Sequence, residues 1–387
     1  MGMNGTAHRY ETLDGLRGVA ALTVMFGHFG LILGLFSAPN GLMAVDTFFI
    51  MSGFVIAYSY GERLRSGMSP WTYLYGRVVR LYPMFIIGLL LGCAVLCYGV
   101  YSGAIAYRTA DILRGAALNA FYIPFPNALT LYHETGQIFP ANPPSWSLFF
   151  EMVASGAFLL LVGLSRRSLL AVVVLCYVTM IAAGMHYRHG GTWIEVHCGY
   201  YTSNLPGGLP RVGFGFSLGM LLQQLARDDI AGSRIRALIG RLPYPSFLLY
   251  AATLVIFHIP RTAHGLLPLL AVATIMPAVV FVGAQIHLRP GLELNVAKFL
   301  GWISYPIYCV HYPFVRLVTF MRDSGHGSGF LLVTAGSAIS LVVAMALTRW
   351  YEEPVRAWLS ARLSARKDAL SPLRTPSPLR ASAAKQL

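Results

Sequence analysis

Charge is scarce in this sequence. Asp, Glu, Lys and Arg make up 11% of its 387 residues, against about a quarter in an average soluble domain. That shortage argues against an ordinary soluble globule, which keeps a larger stock of such side chains at its surface. Acidic residues are the rarer sign, 15 against 29 basic, which leaves a formal net charge of +14. A basic surplus suits nucleic acid when it forms a patch or stripe. Here the Lys and Arg lie between apolar blocks and in the C-terminal tail, so no nucleic-acid partner is expected. Cysteine is sparse too. Cys93, Cys97, Cys176, Cys198 and Cys309 show no CxxC and no Cys/His ligand spacing, so neither a disulfide framework nor a metal site is expected. No internal repeat is visible, which argues against the repeat-built transporter folds. No cleavable signal peptide is expected, because the first apolar block is too long and lacks a small-residue cleavage site.

What is abundant is apolar: 56% of residues are hydrophobic and the mean hydropathy is +0.60. The apolar residues gather into ten blocks, at 14–36, 45–61, 80–101, 146–164, 168–185, 211–225, 243–258, 265–283, 299–320 and 329–350. Most approach the ~20 residues that a helix needs to cross a bilayer core. With the N-terminus inside, 22 of the 29 basic residues fall in inner segments and seven, including Arg211, in outer ones. That asymmetry predicts an all-α integral membrane protein, a bundle of about ten transmembrane helices with both termini cytoplasmic. Residues 1–360 are expected to form one membrane domain. Residues 361–387, basic and rich in Pro and Ser, are expected to be a disordered cytoplasmic tail that touches anionic lipid. Two long outer loops are expected at about 102–145 and 186–210, the first rich in aromatics and prolines.

Ionisable residues inside a span are costly and point to function. Arg17 and His28 share the first span. Eleven residues are three helical turns and about 16 Å, so both side chains point to nearly the same face. That face offers a cation at the inner mouth and an imidazole deeper in, which suits a long anionic ligand entering from the cytoplasm. A snorkelling arginine and a hydrogen-bonded core histidine are the plain alternative. Asp46 and Glu151 fall at a depth similar to His28 on two other spans, and Ser147 shares a helix face with Glu151. A buried carboxylate beside a histidine fixes its tautomer and raises its basicity; Asp46 also suits a helix cap. Arg77 and Arg80 form an RxxR pair, bidentate phosphate binders by chemistry, and equally ordinary inner-side arginines. His311 lies about 18 Å along its own span and rivals His28 for the catalytic role.

Five motifs carry these residues. "LDGLRGVAALTVMFGH" holds Arg17 and His28. "VDTFFIMSGFVIA" holds Asp46, Ser52 and Gly53, and "RVVRLYP" holds Arg77 and Arg80. "PPSWSLFFE" holds Trp146, Ser147 and Glu151, and "SYPIYCVHYPF" holds Tyr305 and His311. In this order the five resemble the signatures of the acyltransferase-3 family of integral membrane acyltransferases, which includes bacterial surface-polysaccharide O-acetylases.

The resemblance implies transfer of an acyl group, acetyl by default, from cytoplasmic acyl-CoA to a hydroxyl of a cell-surface or lipid-linked sugar. The setting would be the bacterial inner membrane. It implies no permanently bound cofactor; acyl-CoA would be a substrate. Arg17, Arg77 and Arg80 would hold the phosphates of coenzyme A. His28 would be general base, with Glu151 or Asp46 orienting it, or would carry the acyl group as an acyl-histidine. A donor near Ser52 and Gly53 would face the developing oxyanion. Some members of the family carry a fused extracytoplasmic hydrolase domain. This chain is expected to finish its own transfer or to pass the acyl group to a separate partner. Other members acylate small molecules such as macrolides, which stands as a second reading. A transporter whose polar residues line a path is the third.

Overall fold

The computed structural model describes residues 9–34, 41–125, 136–188, 194–259 and 266–369. Among them the chain is helical, with no strand and one isolated backbone bridge, between Gln137 and Tyr201. Helix α1 (Glu11–Leu33), α2 (Leu42–Arg65) and α3 (Pro70–Tyr101) come first, followed by the short α4 (Thr109–Ala120). Next come α5 (Ser145–Leu161), α6 (Arg166–His186), α7 (Leu205–Arg227), the short α8 (Gly232–Ile239) and α9 (Pro245–His258). Helix α10 (Leu266–Leu270) runs through a π-turn at Ala271–Ile275 into α11 (Met276–Gln285). After α12 (Leu292–Asp323), α13 (Gly329–Leu347) runs through a second π-turn at Thr348–Glu352 into α14 (Glu353–Ala369).

Local chemistry sets several ends. α1 stops at Gly34, whose φ of 65° is the left-handed C-cap that glycine adopts without penalty. α3 opens with Pro70, in the first turn where its missing N–H costs nothing. Ser165 and Ser328 cap α6 and α13 by accepting from the backbone N–H of Ser168 and Leu331.

Among the described residues, six helices are long and apolar enough to cross a membrane: α1, α2, α3, α6, the run Leu266–Gln285 and the run Gly329–Arg362. α5 and α9 are apolar but shorter. Each of the ten apolar blocks overlaps one of these, or α7 or α12. α7 and α12 are long but carry polar side chains for the core, including Arg211 on α7 and His311 and Arg316 on α12, all buried. α4 and α8 were unexpected and occupy segments that read as loops. α14 runs to Ala369, past the boundary expected at residue 360. The remaining tail, 370–387, and residues 126–135 of the expected first outer loop lie outside the described residues.

Burial sorts the helices. The apolar window of α2 is 61% buried and that of α6 only 22%, so α2 is central and α6 faces outward along most of its surface. α1 lies along α12, α2 along α7, and α3 and α13 flank α12. Apolar helices gain no hydrophobic advantage over lipid by meeting, so close contact depends on small residues that let backbones touch. Gly53 of α2 and Gly219 of α7 do this reciprocally. A Cβ on Gly53 would sit 2.0 Å from the Phe216 carbonyl oxygen, and one on Gly219 would sit 2.0 Å from that of Ile50. The glycine of the "SGF" motif is therefore a packing residue.

Gly53→Ala is expected to destabilise the detergent-solubilised protein by about 1–3 kcal/mol, the usual cost of overpacking. Gly156→Ala on α5, whose Cβ would meet nothing within 4 Å, is expected to leave the thermal midpoint unchanged. Equal midpoints for the two variants would refute the close-contact account.

Candidate active site

Two cavities lie on either side of the paired motifs. The first, about 690 Å³, is lined by Arg17, Arg77 and Arg80 together with Arg9, Arg356 and four carboxylates: Asp14, Glu151, Glu352 and Glu353. The second, about 500 Å³, is lined by His28, Trp146, Tyr200, Tyr201, Tyr308 and Tyr312 among others. Among the described residues, no Asp, Glu, Lys or Arg lines it. We call them the arginine chamber and the tyrosine chamber. α1 runs unbroken from one to the other, with Arg17 in the first and His28 in the second.

The two histidines that competed for one role are partners. His28 Nδ1 lies 3.0 Å from His311 Nε2, and the rings stack with centroids 5.2 Å apart. His311 Nδ1 is 2.8 Å from the Ile307 carbonyl oxygen. A carbonyl only accepts, so His311 Nδ1 carries the hydrogen. With both rings neutral, His311 Nε2 is then a lone pair, and His28 Nδ1–H donates to it. That leaves His28 Nε2 as a lone pair, the atom of this pair able to accept a proton. Protonation at Nε2 would strengthen the Nδ1–H donor, so the Ile307–His311–His28 chain orients the base and steadies its cation. The pairing was foreshadowed by depth: counted from the ends of blocks 14–36 and 299–320, His28 lies 14 residues in and His311 12, about 21 Å and about 18 Å, nearly the same level.

Neither expected carboxylate takes the orienting role. Asp46 accepts from Arg211 Nε at 2.6 Å and from Nη2 at 3.0 Å, and both side chains are almost wholly buried. Arg211 also donates to the carbonyls of Cys198 and Leu42 and lies 5.2 Å over the Trp146 ring. Counted from sequence as an outer-loop cation, Arg211 is instead a core residue that ties α2, α7 and the 194–204 loop. An acid within one span demands such a cation, and that demand was the available signal. Glu151 accepts from Arg77 at 2.6 Å and from the Ser52 hydroxyl at 3.1 Å. Glu151 and Ser52 therefore belong to the arginine chamber, and the Ser52 proton is committed to a carboxylate rather than to an oxyanion.

The three expected phosphate-binding arginines do share a chamber, each with an acidic partner. Arg17 approaches Asp14 at 3.5 Å, Arg77 holds Glu151, and Arg80 donates to Glu352 at 3.3 Å. Glu352 also accepts from Arg356 at 3.1 Å and is buried to 3% side-chain exposure. It sits in the second π-turn, a feature without a sequence signature and frequent at functional sites. Tyr305 donates to the Leu81 carbonyl and lies under Arg80 at 5.6 Å. Gly53 lines neither chamber. Trp146 is in the tyrosine chamber and Ser147 in the arginine chamber, so the "SWS" turn lies between them.

Two distant loop segments close over the tyrosine chamber. Ile138 N–H donates to the Tyr200 carbonyl at 3.2 Å and Thr202 N–H to that of Gly136 at 2.7 Å.

The family described as Acyltransferase domain matches residues 10–349. Protein 2 in the picA locus of Rhizobium radiobacter is 33% identical over 188 residues, which are 45% of this chain and 95% of that protein. YrhL of Bacillus subtilis (strain 168), provisionally named a peptidoglycan O-acetyltransferase, is 24% identical over 377 residues, 90% of this chain. The chain spans 55% of the length of YrhL. No solved structure matches.

The buried Asp46–Arg211 pair makes a stability prediction. Asp46→Asn leaves Arg211 buried and uncompensated, so it is expected to cost about 3–5 kcal/mol. Replacing both residues by apolar ones of similar volume is expected to recover most of that loss in a thermal-unfolding assay. A double variant no more stable than Asp46→Asn would reject the pairing as a structural element.

Proposed function

The chain belongs to the acyltransferase-3 family, and from that premise we propose that it is a multi-pass membrane O-acyltransferase. In this reading ten helical segments cross the bacterial inner membrane with both termini cytoplasmic. The donor is acyl-CoA, most simply acetyl-CoA, and it enters the arginine chamber. The acceptor is a hydroxyl of a cell-surface or lipid-linked sugar, and it enters the tyrosine chamber.

The observation that carries this reading is the placement of Arg17 and His28 on one unbroken helix that serves two unlike chambers. A nucleotide thioester is anionic at one end and reactive at the other. Arginines suit the phosphates because the guanidinium fork matches them bidentately. About 16 Å of helix then separates the phosphate end from the base. The tyrosine chamber has the opposite character. Aromatic faces and hydroxyls without formal charge suit a sugar ring, which has apolar faces and polar edges.

The chemistry follows from the histidine pair. His28 Nε2 takes the proton of the acceptor hydroxyl as it attacks the thioester carbonyl. His311 supports the imidazolium by accepting from Nδ1–H. When the C–S bond breaks, His28 returns the proton to the CoA thiolate. Salt bridges in the arginine chamber exchange partners when phosphate binds, so Asp14 and Glu352 also keep the empty chamber from holding uncompensated charge.

His28→Ala is expected to lower acetyl-CoA turnover by about 10²–10⁴-fold, the range of one general base, while CoA binding persists in the purified protein. Arg17→Ala is expected to do the reverse, raising KM for acetyl-CoA with kcat little changed. Full turnover in His28→Ala would remove the histidine from the mechanism, and failure of the wild-type protein to bind CoA would remove the donor.

A further inference from the structure

Among the described residues, Tyr308 alone lines both chambers. This placement reflects its position on the buried face of α12, one turn before His311. Its hydroxyl lies 2.7 Å from the Ser147 hydroxyl and 3.3 Å from the Pro144 carbonyl oxygen. The Ser147 hydroxyl lies 3.1 Å from that same carbonyl oxygen and donates to it. A carbonyl only accepts, so the Tyr308 O–H also donates toward Pro144, and its hydrogen is shared between the Pro144 carbonyl and the Ser147 hydroxyl. Its ring packs edge-on against Phe48 at 5.4 Å and at a tilt against His311 at 6.1 Å, which fixes where the hydroxyl points. The partition between the chambers therefore presents a buried, oriented phenol whose hydrogen is held only by neutral, replaceable partners.

This argument rests on the proposed acyl transfer. The donor comes from one chamber and the acceptor from the other, so the carbonyl that passes between them must lie at their boundary. Attack forms a bond from the acceptor oxygen to the carbonyl carbon. The hydroxyl proton goes to His28 Nε2, and the π pair of the carbonyl moves onto its oxygen. That oxygen needs a donor aimed at it before the reaction. Ser52 does not supply one, because its proton is held by Glu151 in the arginine chamber. We infer that the Tyr308 hydroxyl is the oxyanion donor, turning its hydrogen from the Pro144 carbonyl and the Ser147 hydroxyl to the thioester carbonyl oxygen. The intermediate then collapses: the carbonyl re-forms, the C–S bond breaks, and the thiolate takes the proton from His28. Tyr308 keeps its own proton throughout.

The test is steady-state transfer, or hydrolysis, of acetyl-CoA by the full-length protein in detergent. Tyr308→Phe keeps the ring and removes the donor. It is expected to lower kcat by about 10²–10³-fold, the loss seen on removing one oxyanion donor, with KM for acetyl-CoA and CoA binding changed by less than about threefold. A packing role alone does not predict that split. Because Tyr308 is buried, a second series replaces it with ring-fluorinated tyrosines, which keep shape and hydrogen bond while making the phenol a stronger donor. kcat is expected to change monotonically with phenol acidity across that series. The inference is overturned if Tyr308→Phe keeps kcat within about threefold, if the loss appears only in KM, or if the fluorinated series is flat. If the wild-type protein turns over no acyl-CoA, the underlying reading of donor and reaction falls and the Tyr308 role falls with it. That outcome is distinct from a wild type that is active and indifferent to Tyr308.

Discussion

The arrangement depends first on how a buried carboxylate is tolerated in an apolar bundle. Asp46 sits inside α2, where an isolated charge is expensive. Arg211 meets it with two hydrogen bonds and donates two more to the carbonyls of Leu42 and Cys198. One guanidinium thereby joins two helices and a loop, and its face covers Trp146. Remove that join and the wall of the tyrosine chamber loses its support, while the glycine contacts between α2 and α7 lose their register. The pair is structural in its contacts, yet it lies directly beneath the surface that forms the second chamber.

Much of the helical layout was legible in the sequence, because lipid imposes a simple rule of length and apolarity. Blocks such as 14–36 and 329–350 overlap helices that satisfy that rule alone. α7 and α12 strain it, since a helix surrounded by other helices carries the polar side chains that lipid would reject. α4 and α8 were missed because short helices outside the apolar blocks leave no such signature. The π-turn at Thr348–Glu352 was also invisible, since one inserted residue in a helical ladder has no composition.

The candidate site was legible by residue and misjudged by partnership. Arg17, Arg77 and Arg80 share a chamber, and His28 and His311 share a hydrogen bond, all from motifs far apart in the chain. Carboxylates were expected beside His28 because charge and depth suggested attraction. Depth alone does not fix rotation about a helix axis, and rotation decides which neighbour is met. Glu151 faces Arg77 and Asp46 faces Arg211, each drawn to the stronger cation. A neutral imidazole fills the place beside His28, where it can be hydrogen-bonded without burying a net charge.

The bridge between Gln137 and Tyr201 has a consequence for recognition. It ties two loops that are more than sixty residues apart into one piece of backbone over the tyrosine chamber. Loops left separate would have to be immobilised when a ligand arrives, and that ordering would be deducted from affinity. Here the loops are ordered as part of folding. Whatever ligand this chamber takes, the part of its wall built by this backbone bridge is in place before the ligand arrives.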